Sequence, residues 1–307
     1  MTNRTLGVAA MVSAAALWVP QVVLAHTPYL LPNAFDAERD HVTLQAALTE
    51  DDYFNPDIAI RAPSYVETTP SGQRKDVPPA MVMKDMATFE APLPDNGTYR
   101  FSTGLYVARS VRMAEIGGHW LMIRQPGAHV DHDAEHAASA DVAQPAAHGA
   151  DHDHEHKDDD GPPSVAAAEV PAGARTIEVQ NIQTAETYVS KGAPTDTALR
   201  VSGEGLELKP VTHPNAIYVD QGFAFQLLID GKPAAGTPFS VYRSGDIYDD
   251  HKVMAEMKTG ADGAAKVSFD RPGVYLLTTH YPFGPRSPDG APTARNYVYS
   301  LTFEVTR

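Results

Sequence analysis

Short apolar stretches broken by frequent turns constrain this chain more than any other feature. Residues 42–48 place Val42, Leu44, Ala46 and Leu48 on one face at a spacing of two, the alternation of a half-buried β-strand. No amphipathic helical pattern longer than about ten residues occurs, and proline- and glycine-rich turns separate the strands. Short strands separated by frequent turns favour a sandwich or barrel over alternating strands and helices.

The same pattern recurs after residue 176 and ends in the alternating stretch 296–305. Asp230-Gly231 and Asp262-Gly263 are turn dipeptides between the predicted strands. Tyr297, Tyr299 and Phe303 are interpreted as core packing. We therefore predict an all-β fold of two antiparallel β-sandwich domains, Ig-like or transthyretin-like, with a disordered His/Asp-rich insertion between them.

Four segments follow from this reading. Residues 1–25 are predicted to be a secretory signal peptide, because Arg4 precedes an apolar, alanine-rich stretch that ends before Pro20. The N-terminal β domain is expected over 26–125, the insertion over 126–175 and the C-terminal β-sandwich over 176–307. Residues 176–215 can instead complete the N-terminal domain. Since the apolar stretch is short for a membrane span, we expect an exported, periplasmic protein without a membrane span after processing.

Composition excludes several function classes. The net charge of −15 argues against nucleic acid as a partner, because a nucleic-acid binder needs a basic face. The absence of cysteine removes disulfides, thiolate metal sites and cysteine nucleophiles. The sequence contains neither G-x-S-x-G, nor H-E-x-x-H, nor a glycine-rich phosphate loop, so we expect no enzyme.

The insertion carries the strongest chemical signal. Seven of the 13 histidines lie between residues 129 and 156, and residues 129–160 contain ten acidic residues and only one lysine. Imidazole nitrogen is a common ligand of Ni(II), Co(II), Zn(II) and Cu(II), so the pattern predicts several exchangeable sites for a divalent transition metal. The candidate ligands here are His129, His132, His136, His148, His152, His154 and His156.

Three further histidines are candidate metal ligands. Cleavage after Ala25 would make His26 the N-terminal residue, whose α-amine and imidazole form a bidentate chelate for Cu(II) or Ni(II). His119 follows Gly117-Gly118, and His280 stands at a predicted strand end. His26 together with His119 or His280 is the constellation that we expect to hold a tighter site.

Motifs along the mature chain resemble the DUF4198 family. The segment 25–32, AHTPYLLP, is similar to that family's A-H-x-x-W-L-x-P opening, with Tyr29 in place of the usual tryptophan. The segments 203–214, 228–236 and 271–277 resemble its later turn motifs, and the C-terminal part is similar to transthyretin-like and carboxypeptidase-regulatory-like sandwiches. The resemblance implies an exported protein related to periplasmic components of cobalt and nickel uptake systems.

Three functions stay open on this basis. The first is an exported protein that binds Ni, Co or Zn as an accessory to uptake and passes the metal to a membrane transporter. The second is a copper protein that uses a histidine brace at His26. The third is a protein- or glycan-interaction module in which residues 126–175 serve only as a tether.

Overall fold

A computed structural model describes residues 26–49, 54–124, 163–245, 253–283 and 290–307. Within these ranges the only helices are two short 3-10 turns, Ala167–Glu169 and Thr197–Leu199. The strands are β1 Thr27–Pro32, β2 His41–Thr49, β3 Ile58–Ala59, β4 Tyr65–Thr68, β5 Arg74–Val77, β6 Met81–Val82, β7 Ala87–Pro92, β8 Gly97–Ser102, β9 Tyr106–Ile116, β10 His119–Arg124, β11 Ser164–Ala166, β12 Thr176–Lys191, β13 Leu206–Pro210, β14 Phe223–Ile229, β15 Lys232–Pro233, β16 Pro238–Arg243, β17 Val253–Lys258, β18 Ala264–Val267, β19 Gly273–Tyr281 and β20 Arg295–Val305.

The strands form three sheets. The first sheet has the order β1-β2-β7-β6, and β3 pairs with Ala47 and Leu48 near the C-terminal end of β2. The large sheet runs β11-β10-β9-β12-β20-β19-β16-β17, and β8, β4 and β5 extend from β12. The third sheet has β13, β14 and β15 in order, with β18 on β14. Most pairs are antiparallel, which confirms the predicted fold class.

One long strand, β12, belongs to two hydrophobic cores. Ala185 and Val189 pack into a core with the first sheet, whereas Ile182 and Tyr188 pack into a core with the third sheet. Because successive side chains of a strand point to opposite faces, one strand can serve both cores. The two sandwiches are therefore built on opposite faces of a common sheet. The predicted domain boundary at residue 176 stays a prediction, because β12, which starts at Thr176, contributes to both cores.

The alternation read from the sequence agrees with the observed burial. Val42, Leu44 and Ala46 are fully buried in β2, and Tyr297, Tyr299 and Phe303 are in the core beneath the third sheet. The Asp230-Gly231 turn has positive φ at both residues, 49° and 73°, as a tight two-residue hairpin requires.

Two features differ from the sequence-based expectation. The pairs β12–β20 and β10–β11 are parallel. Residues 164–169, placed in the disordered insertion by the sequence, form β11 and a 3-10 turn. The predicted insertion is corrected at this end, because backbone hydrogen bonds to β10 order a segment that has few large apolar side chains.

Candidate metal-binding residues and a buried ionic cleft

The seven histidines of the insertion lie outside the described residues. The strands on either side of that segment are described, and they are neighbours in the large sheet. Met122 pairs with Ser164 and Arg124 with Ala166, and the Met122 amide donates to the Pro163 carbonyl at 2.9 Å. Adjacent strands lie about 4.8 Å apart, so Arg124 and Pro163, the described residues on either side of 125–162, stand close together at the edge of the sheet.

His119 occupies an exposed hairpin. Gly117 and Gly118 form the two-residue turn between β9 and β10, with φ of 60° and 85°, and His119 pairs with Ile116 directly after it. Positive φ at both positions matches the right-handed strand twist and favours glycine there. The next residue, Trp120, is covered by the Arg175 guanidinium, whose carbon lies 5.5 Å from the ring centre.

His280 is half-buried in β19, opposite Val298 of β20. Burial lowers the pKa of this imidazole below its ordinary value, which favours the neutral, metal-binding form at neutral pH. From His119 on β10 to His280 on β19 the sheet order passes through β9, β12 and β20. Four strand spacings amount to roughly 19 Å, so His119 and His280 cannot bind one ion together. The expected pairing of His26 with one or the other of them stays a prediction.

His26 directly precedes β1. Its Nε2 atom is 3.2 Å from Oδ2 of Asp57, which directly precedes β3. Both residues stand at the C-terminal end of β2, which β1 and β3 flank on its two sides. In the described ranges, no group of three or more His, Cys, Asp or Glu side chains is arranged to hold a metal ion.

A buried ion pair that the sequence reasoning missed stands between β8 and β12. The Arg100 guanidinium donates two hydrogen bonds to Oε1 of Glu186, one from Nε at 3.0 Å and one from Nη2. Tyr299 of β20 donates its hydroxyl to Oε2 of Glu186 at 2.8 Å. Only 15% of the Arg100 side chain and 1% of the Glu186 side chain are exposed.

This network sets the charge states around it. Burial alone lowers the pKa of Arg100, but the negative charge of Glu186, together with Tyr188, Tyr299 and the hydrogen bond to Glu186, makes the net shift upward. Burial raises the pKa of Tyr299 and of Tyr188, with Glu186 adding to both shifts, so the two phenols stay protonated. The Tyr188 hydroxyl is buried without a hydrogen-bond partner among the described residues.

The ion pair forms part of the wall of an open cleft of about 340 Å³. Residues 200–202, which follow the second 3-10 turn, line one side of this cleft. They are held by the buried carboxylate of Glu207, which accepts hydrogen bonds from the Ser202 amide and the Gly203 amide, both at 2.7 Å. Arg100 also donates to the Arg200 carbonyl at 3.1 Å, which ties this loop to β8. Tyr99-Arg100-Phe101 shows only the alternation of a half-exposed strand, so no local signal in the sequence reveals that Arg100 is buried against Glu186.

Comparison with known proteins places the chain in a family. The family model described as a domain of unknown function, DUF4198, matches residues 23–282. The chain belongs to the DUF4198 family. This finding confirms the resemblance read from the motifs, and the match runs from the predicted cleavage region through β19.

The other comparisons with known proteins do not indicate a function for this DUF4198 protein. No curated protein matches the chain. Among solved structures, the D0-D1 domain of intimin is similar over 89% of this chain and 96% of that chain, with 11% identity and a TM-score of 0.20. That TM-score is too low to bear on function.

In the described residues, no helix combines the length and apolar character needed to cross a bilayer.

Proposed function

We propose that this protein is an exported, periplasmic protein that binds Ni, Co or Zn and serves as an accessory to metal uptake. One observation carries the proposal: seven histidines and ten acidic residues lie between 129 and 160. Imidazole supplies nitrogen ligands for these ions, and the carboxylates add negative charge and oxygen ligands.

The position of this segment in the fold supports the proposal. Its flanking strands β10 and β11 are neighbours at one edge of the large sheet, away from both hydrophobic cores. A segment attached in this way can take up ions without any change in either sandwich. In this proposal the sandwiches form the scaffold, and the segment releases its ions to a membrane transporter.

The test compares two full-length variants that separate imidazole from charge. The first replaces the seven histidines of 129–156 by Asn, and the second replaces the ten acidic residues of 131–160 by their amides. We expect the first to lose most bound Ni(II) or Zn(II), measured by elemental analysis and titration at pH 7.5. The second is expected to keep the stoichiometry with weaker affinity. Unchanged stoichiometry in the histidine variant would refute the proposal.

A second candidate function is copper binding at His26. The carboxylate of Asp57 at Nε2 favours it, because histidines that bind a metal through one ring nitrogen commonly pair the other with a carboxylate. Cu(II) electron paramagnetic resonance on protein cleaved after Ala25 tests this candidate. The nitrogen-coupled signal is expected to disappear when one residue is added before His26. A signal that survives this extension would eliminate the brace.

A further inference from the structure

Three methionines lie on one face of the hairpin formed by β6 and β7. Met81 pairs with Thr88 and Val82 with Ala87, which makes Met83 and Met86 the next opposed pair. The Met83 amide donates to the Met86 carbonyl at 2.9 Å, in agreement with that register. Opposed residues of an antiparallel pair share a face, and so do residues two apart in one strand. Met81, Met83 and Met86 therefore project from the same face.

The spacing lets their sulfur atoms meet. In a hydrogen-bonded antiparallel pair the two Cα atoms are about 5.5 Å apart. Residues two apart along a strand are separated by roughly 6.6 Å. A methionine side chain has three rotatable bonds beyond Cα, so all three thioethers can reach one point above the hairpin.

Exposure distinguishes this group from ordinary core methionines. Met81 is 59% exposed and Met83 is 41% exposed, although burial of such a side chain would contribute about 1.5–3 kcal/mol. Met86 is half-buried and packs against Tyr29, Ala47 and Leu276, which anchors one side of the group. Three of the nine methionines in the chain thus present soft donors together, two of them to solvent.

We propose that Met81, Met83 and Met86 form a binding site for a soft monovalent metal ion of the Cu(I) class. Thioether sulfur is a soft ligand that selects Cu(I) over Ni(II), Co(II) or Zn(II). A thioether has no proton to lose, so this site keeps its ligands at a pH at which imidazole is protonated. The site is separate from the histidine-rich segment in both its residues and its ion.

The test uses Ag(I), a redox-inert probe for Cu(I), with full-length protein carrying ¹³C-methyl methionine in chloride-free buffer at pH 5.5. We expect the three methyl signals of Met81, Met83 and Met86 to shift together and to saturate at one ion per chain. The triple variant Met81→Leu, Met83→Leu, Met86→Leu keeps apolar side chains but lacks sulfur, and its affinity should fall at least tenfold. The variant Met257→Leu, at another exposed methionine on β17, is the matched control and should bind as the wild type does.

Equal Ag(I) affinity in the triple variant and the wild type would overturn the proposal. So would shifts spread evenly over all methionine signals. If the triple variant loses its circular dichroism spectrum, the pair Met81→Leu, Met83→Leu, which leaves the packed Met86 in place, replaces it with the same expected loss. Ni(II) stoichiometry at pH 7.5 is measured in parallel and should not change, so failure here is distinguishable from failure of the proposed function.

Discussion

Removal of the Arg100 guanidinium is expected to be among the most damaging single changes in the molecule. Arg100→Leu keeps an apolar side chain of moderate size but leaves Glu186, which is 1% exposed, without its cation. Breaking a buried ion pair by removing one partner costs about 3–5 kcal/mol, because an uncompensated charge stays in the interior. In a folded unit of about 150–250 residues, this corresponds to a fall in Tm of roughly 6–20 °C.

The assay is urea unfolding followed by circular dichroism and tyrosine fluorescence, together with thermal melts. The matched control is Arg175→Ala, which removes the ion pair of a largely exposed guanidinium with Glu115 and its contact with the Trp120 ring. An exposed ion pair contributes about 0–1 kcal/mol and an exposed cation–π contact about 0.5–1 kcal/mol, so this variant should lose clearly less stability than Arg100→Leu. The double variant Arg100→Leu, Glu186→Leu should recover part of the loss, since no buried charge is left.

The refuting result is an Arg100→Leu variant whose unfolding free energy equals that of Arg175→Ala. That outcome would mean that solvent reaches Glu186 from the adjoining cleft and screens its charge. The m-value must stay unchanged for the comparison to report on the native state.

Three further predictions concern a strand histidine, the glycine turns and the histidine-rich segment. Because burial lowers the pKa of His280 from 6.5, its contribution to stability is present above pH 6.5 and is lost as the pH falls through the folded-state pKa. Wild type should thus lose more unfolding free energy between pH 7.5 and pH 5.5 than His280→Gln; equal losses in urea titrations would contradict this. Gly118 has φ +85°, and no atom lies within 4 Å of the position that a Cβ would take, so Gly118→Ala should lower the unfolding free energy by about 1–2 kcal/mol. Gly222→Ala should lower it further, since the added Cβ would stand 2.4 Å from the Val267 carbonyl oxygen. Thermal melts that rank the two glycine variants in the opposite order would count against the close approach. Zn(II) binding by the wild type should weaken from pH 7.5 to pH 5.5, because imidazole must lose its proton to bind; equal affinities in calorimetry at both pH values would speak against imidazole ligands.

Much of the fold was predictable from local alternation. Val42, Leu44 and Ala46 alternate with more polar residues and are buried together in β2. The Asp230-Gly231 hairpin was also predictable, since few other dipeptides adopt positive φ twice in succession. These features depend on neighbours within a few residues, and a single sequence contains that information.

The candidate sites show where that reasoning ends. Arg100 and Glu186 are 86 residues apart and meet only because β8 and β12 pair in one register. His119 and His280 both follow plausible local patterns, yet the strand order separates them by three strands. The common face of Met81, Met83 and Met86 likewise depends on how β6 pairs with β7.

The sequence by itself determined the class of the fold, the positions of its turns and the density of imidazole between residues 129 and 156. These follow from alternation, backbone preference and composition, which act over short distances along the chain. The tertiary structure alone decided that β12 serves two cores, that β20 runs parallel to it, and that β10 and β11, the strands flanking residues 125–162, are neighbours at the edge of the large sheet. The physical reason is that strand pairing depends on which distant segments can bury both faces of a strand while satisfying its backbone hydrogen bonds.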